Sequence, residues 1–287
     1  VGSNNFKGGL QLNFKKIFSV LLLLVLLTYT LCACQQSGFQ NETESEADAD
    51  LPELRIGVDL IKPFFYKNEN GDYAGIDADI IAEACKRAGY RPKFIIVSWS
   101  ERDNYLQNGN VDCLWSAFIK DGREDLYHWT DTYLQSNLRV ITDSKSPDKD
   151  AALSSIHKGM AVRAGSKIEE LLLQETAKRP SIQVYSCGTF EMAETAFIKG
   201  YVGALGGHEA VLQEIINNYP GLYHFLDGSL MTANLGAAFS KDDTSEHYDR
   251  INNAIKAMKA DGTITAINEK YHTGSSEESG VSVSAQN

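Results

Sequence analysis

Between residues 54 and 240 the chain alternates strand-like apolar runs with helix-like ones, and this alternation restricts the fold more than any other feature. LRIGV (54–58) is a short apolar run of the kind buried strands use. IDADIIAEACKRAGY (76–90) puts Ile80, Ile81, Ala84 and Ala88 on one helical face, with Asp77 placed to cap its start and Gly89 to stop it. KFIIV (93–97), SERDNYLQNG (100–109) and VDCLW (111–115) then read as strand, helix and strand. Such β-α-β-α-β order argues for parallel strands with helices on the faces. After the polar link SKSPDKD (144–150) the alternation restarts, with strands in GMAVRAG, SIQVY and YVGALGG and helices in SKIEELLLQETA, TFEMAETAFIKG and HEAVLQEIINNY. LGAAFS (235–240) and the helical stretches 245–262 and 263–272 are left with no second unit of their own. The economical solution returns them to the first unit. The expected architecture is α/β with two lobes, each a mostly parallel sheet flanked by helices. The expected lobes are 53–142 with 234–273, and 143–233, and the cleft between them is a common place for a small-molecule site.

Both ends of the chain fall outside this pattern. Lys15 and Lys16 precede an apolar run over 17–31, short for a membrane span but suited to the core of a secretory signal. LCAC (31–34) follows directly and resembles the lipobox of bacterial lipoproteins, which implies cleavage after Ala33 and a diacylglycerol on Cys34. An uncleaved anchor is the other reading, and either one tethers the protein at the membrane, outside the cytoplasm. Residues 34–52 carry five acids and no base over 35–50, so an extended acidic tether is expected; the tail 274–287 is expected to be disordered.

Formal charge is −11, and the first 33 residues hold three lysines and no acid, so removing them makes the chain more acidic still. That argues against nucleic acid and against anionic lipid bound through a basic face. Cys85 and Cys113 sit in apolar patterns that suit buried thiols, and Cys187 falls in a loop. No spacing resembles a metal site, so neither a metal nor a cofactor is expected.

One arginine stands out. In LWSAFIKDGREDLYHWTDTYL (114–134), Arg123 lies amid acids and large aromatics. It is either a surface residue paired with Glu124 or Asp125, or a fork that grips an anion in a lined pocket.

The segments LRIGVD, PFFY, GDYAGIDADII, NGNVDCLWSAF, GRED, MAVRAGSKIEELL, FIKGYVGAL and NNAIKAMKADGTITAINEKYH, in that order, resemble the polar amino-acid substrate-binding proteins of ABC importers. The resemblance covers 54–272 and implies the type II periplasmic-binding-protein fold, a two-lobed trap that closes on its ligand. It also implies ABC permease subunits as partners and a receptor that works as a monomer.

For the site, the resemblance implies that Arg123 makes a bidentate pair with a ligand carboxylate. Ser116 falls at a glycine-like position seven residues before it, and Phe118 stands where threonine is common, so a hydroxyl contact is lost there. Gly165 and Ser166, at a helix start on the second lobe, would face the same carboxylate. Phe64 or Tyr66, with Trp115 next, would form a wall for the ligand side chain, a core role being the other reading for each, and Asp59 matches a position near the ligand or caps a turn. The usual ammonium-binding aspartate falls on His208, with Glu209 beside it and Gly203 in place of an earlier acid. Either Glu209 takes the ammonium, or His208 accepts from it as neutral imidazole, or the two merely cap the next helix, or the ligand is not an ordinary α-amino acid.

Two other classes use this fold: dehydratases acting on cyclohexadienyl substrates, and sensory domains. His208, Glu209 and Asp59 are the groups an enzyme would draw on, but the six histidines are scattered and no nucleophile motif with a partner is visible. A non-catalytic receptor for an amino acid or a related small carboxylate is the expectation.

Overall fold

The computed structural model of the chain describes residues 51–145, 156, 158–178 and 183–273. The signal-like segment, Cys34, nearly all of the acidic tether, the link 146–155 and the tail lie outside them.

Strand β1 (Glu53–Val58) runs parallel to β4 (Arg91–Ile96) and to β5 (Cys113–Leu114). Between β1 and β4 come the short hairpin β2 (Tyr66–Lys67) and β3 (Tyr73–Ala74) and the helix α1 (Ile76–Ala88). Helix α1 buries Ile80, Ile81, Ala84 and Ala88, the face its periodicity defines, and stops at Gly89 in the left-handed conformation. Its start is not capped by Asp77. The amides of Ile76 and Asp77 instead donate to the carbonyls of Pro63 and Phe64, at 3.0 and 2.8 Å. Gly75 has φ 124°, and a Cβ there would sit 2.3 Å from the Phe64 oxygen, so only glycine lets the loop 59–65 lie against the helix. A 3-10 turn (Trp99–Glu101) and α2 (Arg102–Gln107) connect β4 to β5.

After β6 (His128–Trp129), the long strand β7 (Leu134–Asp143) enters a second sheet. This sheet also holds β8 (Met160–Arg163), β9 (Val184–Cys187), β10 (Ala204–His208), β11 (Tyr223–Phe225) and β12 (Met231–Leu235). Helices α3 (Lys167–Lys178), α4 (Phe190–Ile198) and α5 (Glu209–Asn218) connect its strands. The chain then returns: β13 (Ala238–Phe239) pairs antiparallel with β5 and β6 in the first sheet, and α6 (His247–Ala260) and α7 (Thr263–Thr273) follow.

Two further details differ from the sequence reading. The expected boundaries gave residues up to 142 and from 234 to the first lobe, yet β7 and β12 pair with each other from Leu134↔Leu235 to Leu138↔Met231, inside the second sheet. The chain therefore changes sheet before Leu134 and after Leu235. Cys187 ends a strand, half-buried, whereas Cys85 and Cys113 are buried thiols, whose pKa burial raises, to about 12 for Cys85.

Candidate functional site

Residues from both lobes line one cleft, whose space, counted out into open solvent, is about 390 Å³. The first lobe supplies Ile61, Trp99, Ala117, Phe118, Ile119 and Arg123; the second supplies Leu138, Arg163, Ser166, Lys167, Ile168, Phe190, Gly206, Gly207 and His208.

The first-lobe side is built on the turn after β5. Ser116 is fully buried and its hydroxyl donates 2.8 Å to the Asp59 carbonyl, tying this turn to the end of β1. Ala117 has φ 45°, a conformation L-residues rarely adopt, and its amide donates 2.5 Å to Asp77 Oδ2. This is what the Asp77 side chain does in place of capping. Its carboxyl is wholly buried, Oδ1 has no hydrogen-bond partner among the described residues, and burial raises its pKa to about 7. The turn throws Phe118 onto a block of rings: Trp99 lies 4.9 Å away, Trp129 4.7 Å and Tyr127 5.3 Å.

Arg123 rests on this block, its guanidinium 5.6 Å from the Phe118 centroid. It is only 7 % exposed and does not pair with Glu124 or Asp125. Its oxygen contacts are long: Ile119 O at 3.5 Å, Gly165 O at 3.4 Å and Glu170 Oε2 at 3.5 Å, the last two on the second lobe. Burial and neighbouring Arg102 lower its pKa, but a guanidinium stays charged. A desolvated, weakly engaged fork of this kind is suited to a planar anion.

On the second lobe Ser166 lines the cavity, but much of the expected anion nest is already in use. The Ser166 hydroxyl donates 2.6 Å to Arg163 O, the Gly165 amide donates 2.6 Å to Glu169 Oε2, and the Glu169 amide donates back to Ser166 Oγ at 3.3 Å. Ser166 and Glu169 thus form a capping-box variant at the start of α3. The Gly165 carbonyl, not its amide, faces the arginines, accepting from Arg102 at 3.2 Å and from Arg123.

His208 ends β10 at 6 % exposure, with Nδ1 2.9 Å from Ser136 Oγ. Burial, and then the charge of Arg163, lower its pKa to about 3, so the ring is neutral at physiological pH. Phe64 packs edge-on against it at 5.3 Å, a contact between lobes. Glu209 lies elsewhere: its oxygens take Arg139 Nη1 and Asn137 Nδ2, both at 2.8 Å, and it does not line the cavity. It has no ammonium-binding position here.

None of the three aromatic candidates lines the cavity, although Phe64 touches His208. Trp115 is fully buried in the first-lobe core beside Tyr133, because alternation along β5 turns it away from the cleft. Tyr66 sits half-buried on the hairpin under Lys62 and is not part of the lining. Trp99 takes the place expected of them. Asp59 does reach the cleft, and its Oδ2 accepts from Arg163 Nη1 in a buried ion pair that crosses between lobes. Arg163 itself escaped notice in the sequence. Its signal was a lone arginine closing the otherwise apolar strand MAVR, all four residues of which are buried. Among the described residues no cluster of His, Cys, Asp and Glu could hold a metal.

Two α/β lobes joined by two crossings, with a buried arginine and an aromatic wall between them, define a small-molecule binding protein of the type II periplasmic-binding-protein fold. The chain belongs to the bacterial extracellular solute-binding proteins, family 3, which it matches over residues 54–274. It is 24 % identical over 273 residues to the L-cystine-binding protein TcyA of Bacillus subtilis (strain 168), covering 87 % of this chain and 95 % of that one. It superimposes on an ancestral arginine-binding protein bound to arginine with a TM-score of 0.69, at 25 % identity over 76 % of this chain and 97 % of the other. An ancestral amino acid-binding protein described as a precursor of cyclohexadienyl dehydratase gives a TM-score of 0.67 at 25 % identity, over 76 % and 95 %.

Proposed function

We propose that this chain is a lipid-anchored receptor, held by Cys34 at the outer face of the cell membrane, that captures an amino acid or a related small carboxylate and hands it to an ABC permease. The observation that carries this reading is Arg123, buried between the lobes with only long contacts to protein oxygens. The relatives support it, since they are named as binding proteins, for cystine and for arginine. Ligand held by both lobes stabilises the closed arrangement over the open one, and closure is the signal a permease reads. No chemical step is assigned: His208 is neutral and bonded to Ser136, and Asp59 is held by Arg163.

The test is thermal unfolding of the full chain in detergent, after refolding from denaturant to strip carried solutes, with amino acids and small carboxylates added singly. A micromolar ligand at millimolar dose should stabilise by about 4 kcal/mol. Arg123→Ala should weaken that ligand by roughly 1.5–3 kcal/mol, because the lost bond is charge-assisted. An unchanged dissociation constant in Arg123→Ala would sink the assignment.

A further inference from the structure

The receptor reading places one carboxylate on Arg123 and leaves the ligand's other end unassigned. A second guanidinium lines the same cavity. Arg163 lies 5.0 Å from the Trp99 ring as Arg123 lies 5.6 Å from Phe118, and the two rings touch edge to face. Both arginines are more than nine-tenths buried. Neither is saturated. Arg163 gives Nη1 to Asp59, but its Nε is buried with no hydrogen-bond partner among the described residues. Nε is part of the edge with which a guanidinium meets a carboxylate through two parallel bonds.

Acceptors at this end are already committed. Asp59 takes Arg163 through Oδ2 and its neighbour's amide, Leu60 N, through Oδ1 at 2.9 Å. His208 is uncharged, and Glu170 is held by Lys167 at 2.8 Å. Arg102, behind the ring block, adds a third guanidinium, and together with burial it pushes Arg123 and Arg163 below their ordinary pKa. A neutral second end meets Arg163 with at most one uncharged acceptor, and an apolar one leaves the Nε donor unmet. A basic one sets cation against cation. A second acid answers both.

We infer that the site takes a ligand with two acidic groups, one on Arg123 and the other on the Nε edge of Arg163, an inference that rests on the receptor reading. An acidic amino acid and a dicarboxylate without an amine share this chemistry. They differ only in whether the ligand carries an amine.

The experiment is calorimetric titration of the refolded full chain in detergent with L-aspartate, L-glutamate, succinate, glutarate, L-glutamine and L-arginine. At least one diacid should bind about tenfold or more tighter than glutamine and arginine, the scale of one charge-assisted bond. Arg163→Gln should weaken the diacid about tenfold more than it weakens glutamine, and Arg163→Lys, which keeps charge but not the fork, should restore part of that difference. If Arg163→Gln is too unstable with Asp59 left unpaired, the double variant Asp59→Asn/Arg163→Gln carries the same comparison. Preference for glutamate over glutarate identifies an acidic amino acid; equal binding identifies a dicarboxylate. Glutamine or arginine binding as tightly as every diacid overturns the second-acid assignment and leaves the receptor reading intact. Binding of none of the six overturns the second-acid assignment, and the receptor reading falls with it only if the full screen of amino acids and small carboxylates is empty too.

Discussion

The first lobe faces the cavity with large rings stacked round one guanidinium, whereas the second faces it with the bare strand end Gly206-Gly207, then His208 and Arg163. The difference extends to titration. Besides its arginine, each lobe buries near the site a group whose charged form burial disfavours, an acid in one and a base in the other. Asp77 in the first lobe holds its proton to about pH 7, and His208 in the second refuses one down to about pH 3. A wall of rings needs a rigid foundation, and the strained Ala117 turn is fastened by a carboxyl that pays in pH sensitivity. The second lobe gives floor space instead, through two residues without side chains.

The sharpest way to break this comparison is to remove the ion pair joining the lobes. Asp59→Ala leaves Arg163 buried without its partner carboxylate and should cost about 3–5 kcal/mol in urea unfolding. Asp59→Asn/Arg163→Gln should cost clearly less. Equal losses would mean that the pair's charge is not what the fold depends on.

The opposite titrations come next. Between about pH 4 and 7 folded Asp77 keeps a proton that the unfolded chain releases, so its contribution falls as pH rises and levels off above 7. Below about 6.5 the unfolded chain protonates His208 while the folded one does not, so that contribution is lost as pH falls toward 3. Each effect is on the order of a few kcal/mol, and the two oppose each other over the overlap. Asp77→Asn should therefore make stability rise more steeply with pH between 4 and 7, and His208→Gln should flatten the acid limb. Urea midpoints from pH 4 to 8 for the three proteins check both; slopes matching the wild type would show that these groups titrate alike in both states.

Smaller again is the floor. A Cβ on Gly206 would meet Ile168 Cδ1 at 2.7 Å and Val162 Cγ1 at 3.1 Å, so Gly206→Ala should destabilise by about 1–3 kcal/mol through overpacking and weaken ligand binding as the floor rises. The exposed pair Lys62–Glu214, which also joins the lobes, sets the lower bound. Glu214→Gln should change stability by no more than about 1 kcal/mol, measured in the same urea unfolding.

The helices and most strands were legible because their periods differ, and because Gly89 stops α1 where its apolar face ends. β7 and β12 were not read as parts of the second sheet. LQSNLRVITD mixes exposed and buried positions without a clean alternation, since only its second half enters the core. Arg123 stands out in the sequence through its aromatic setting and His208 through the resemblance, and both line the cleft. Arg163 does not stand out, because an arginine at a strand end ordinarily reaches solvent, and only the opposing loop with Asp59 makes it internal. Composition also cannot choose between Trp115 and Trp99: one sits on a strand face turned to the core, the other on a turn that opens to the cleft.

The pairing of β7 with β12 has a mechanical consequence. Two separate connectors would let one lobe twist, slide and bend against the other. A hydrogen-bonded ribbon resists sliding, since each register step breaks bonds, and leaves bending across its width as the soft direction. The ribbon meets the first lobe where the Thr130 amide donates to the Ala237 carbonyl and the Ala237 amide to Thr130 Oγ1, both at 3.0 Å, and where the Gly236 amide donates 3.0 Å to the Phe118 carbonyl. The ribbon is thus bonded to the backbone of Phe118, whose ring belongs to the aromatic wall, so bending of the ribbon and the placement of that wall share one peptide unit.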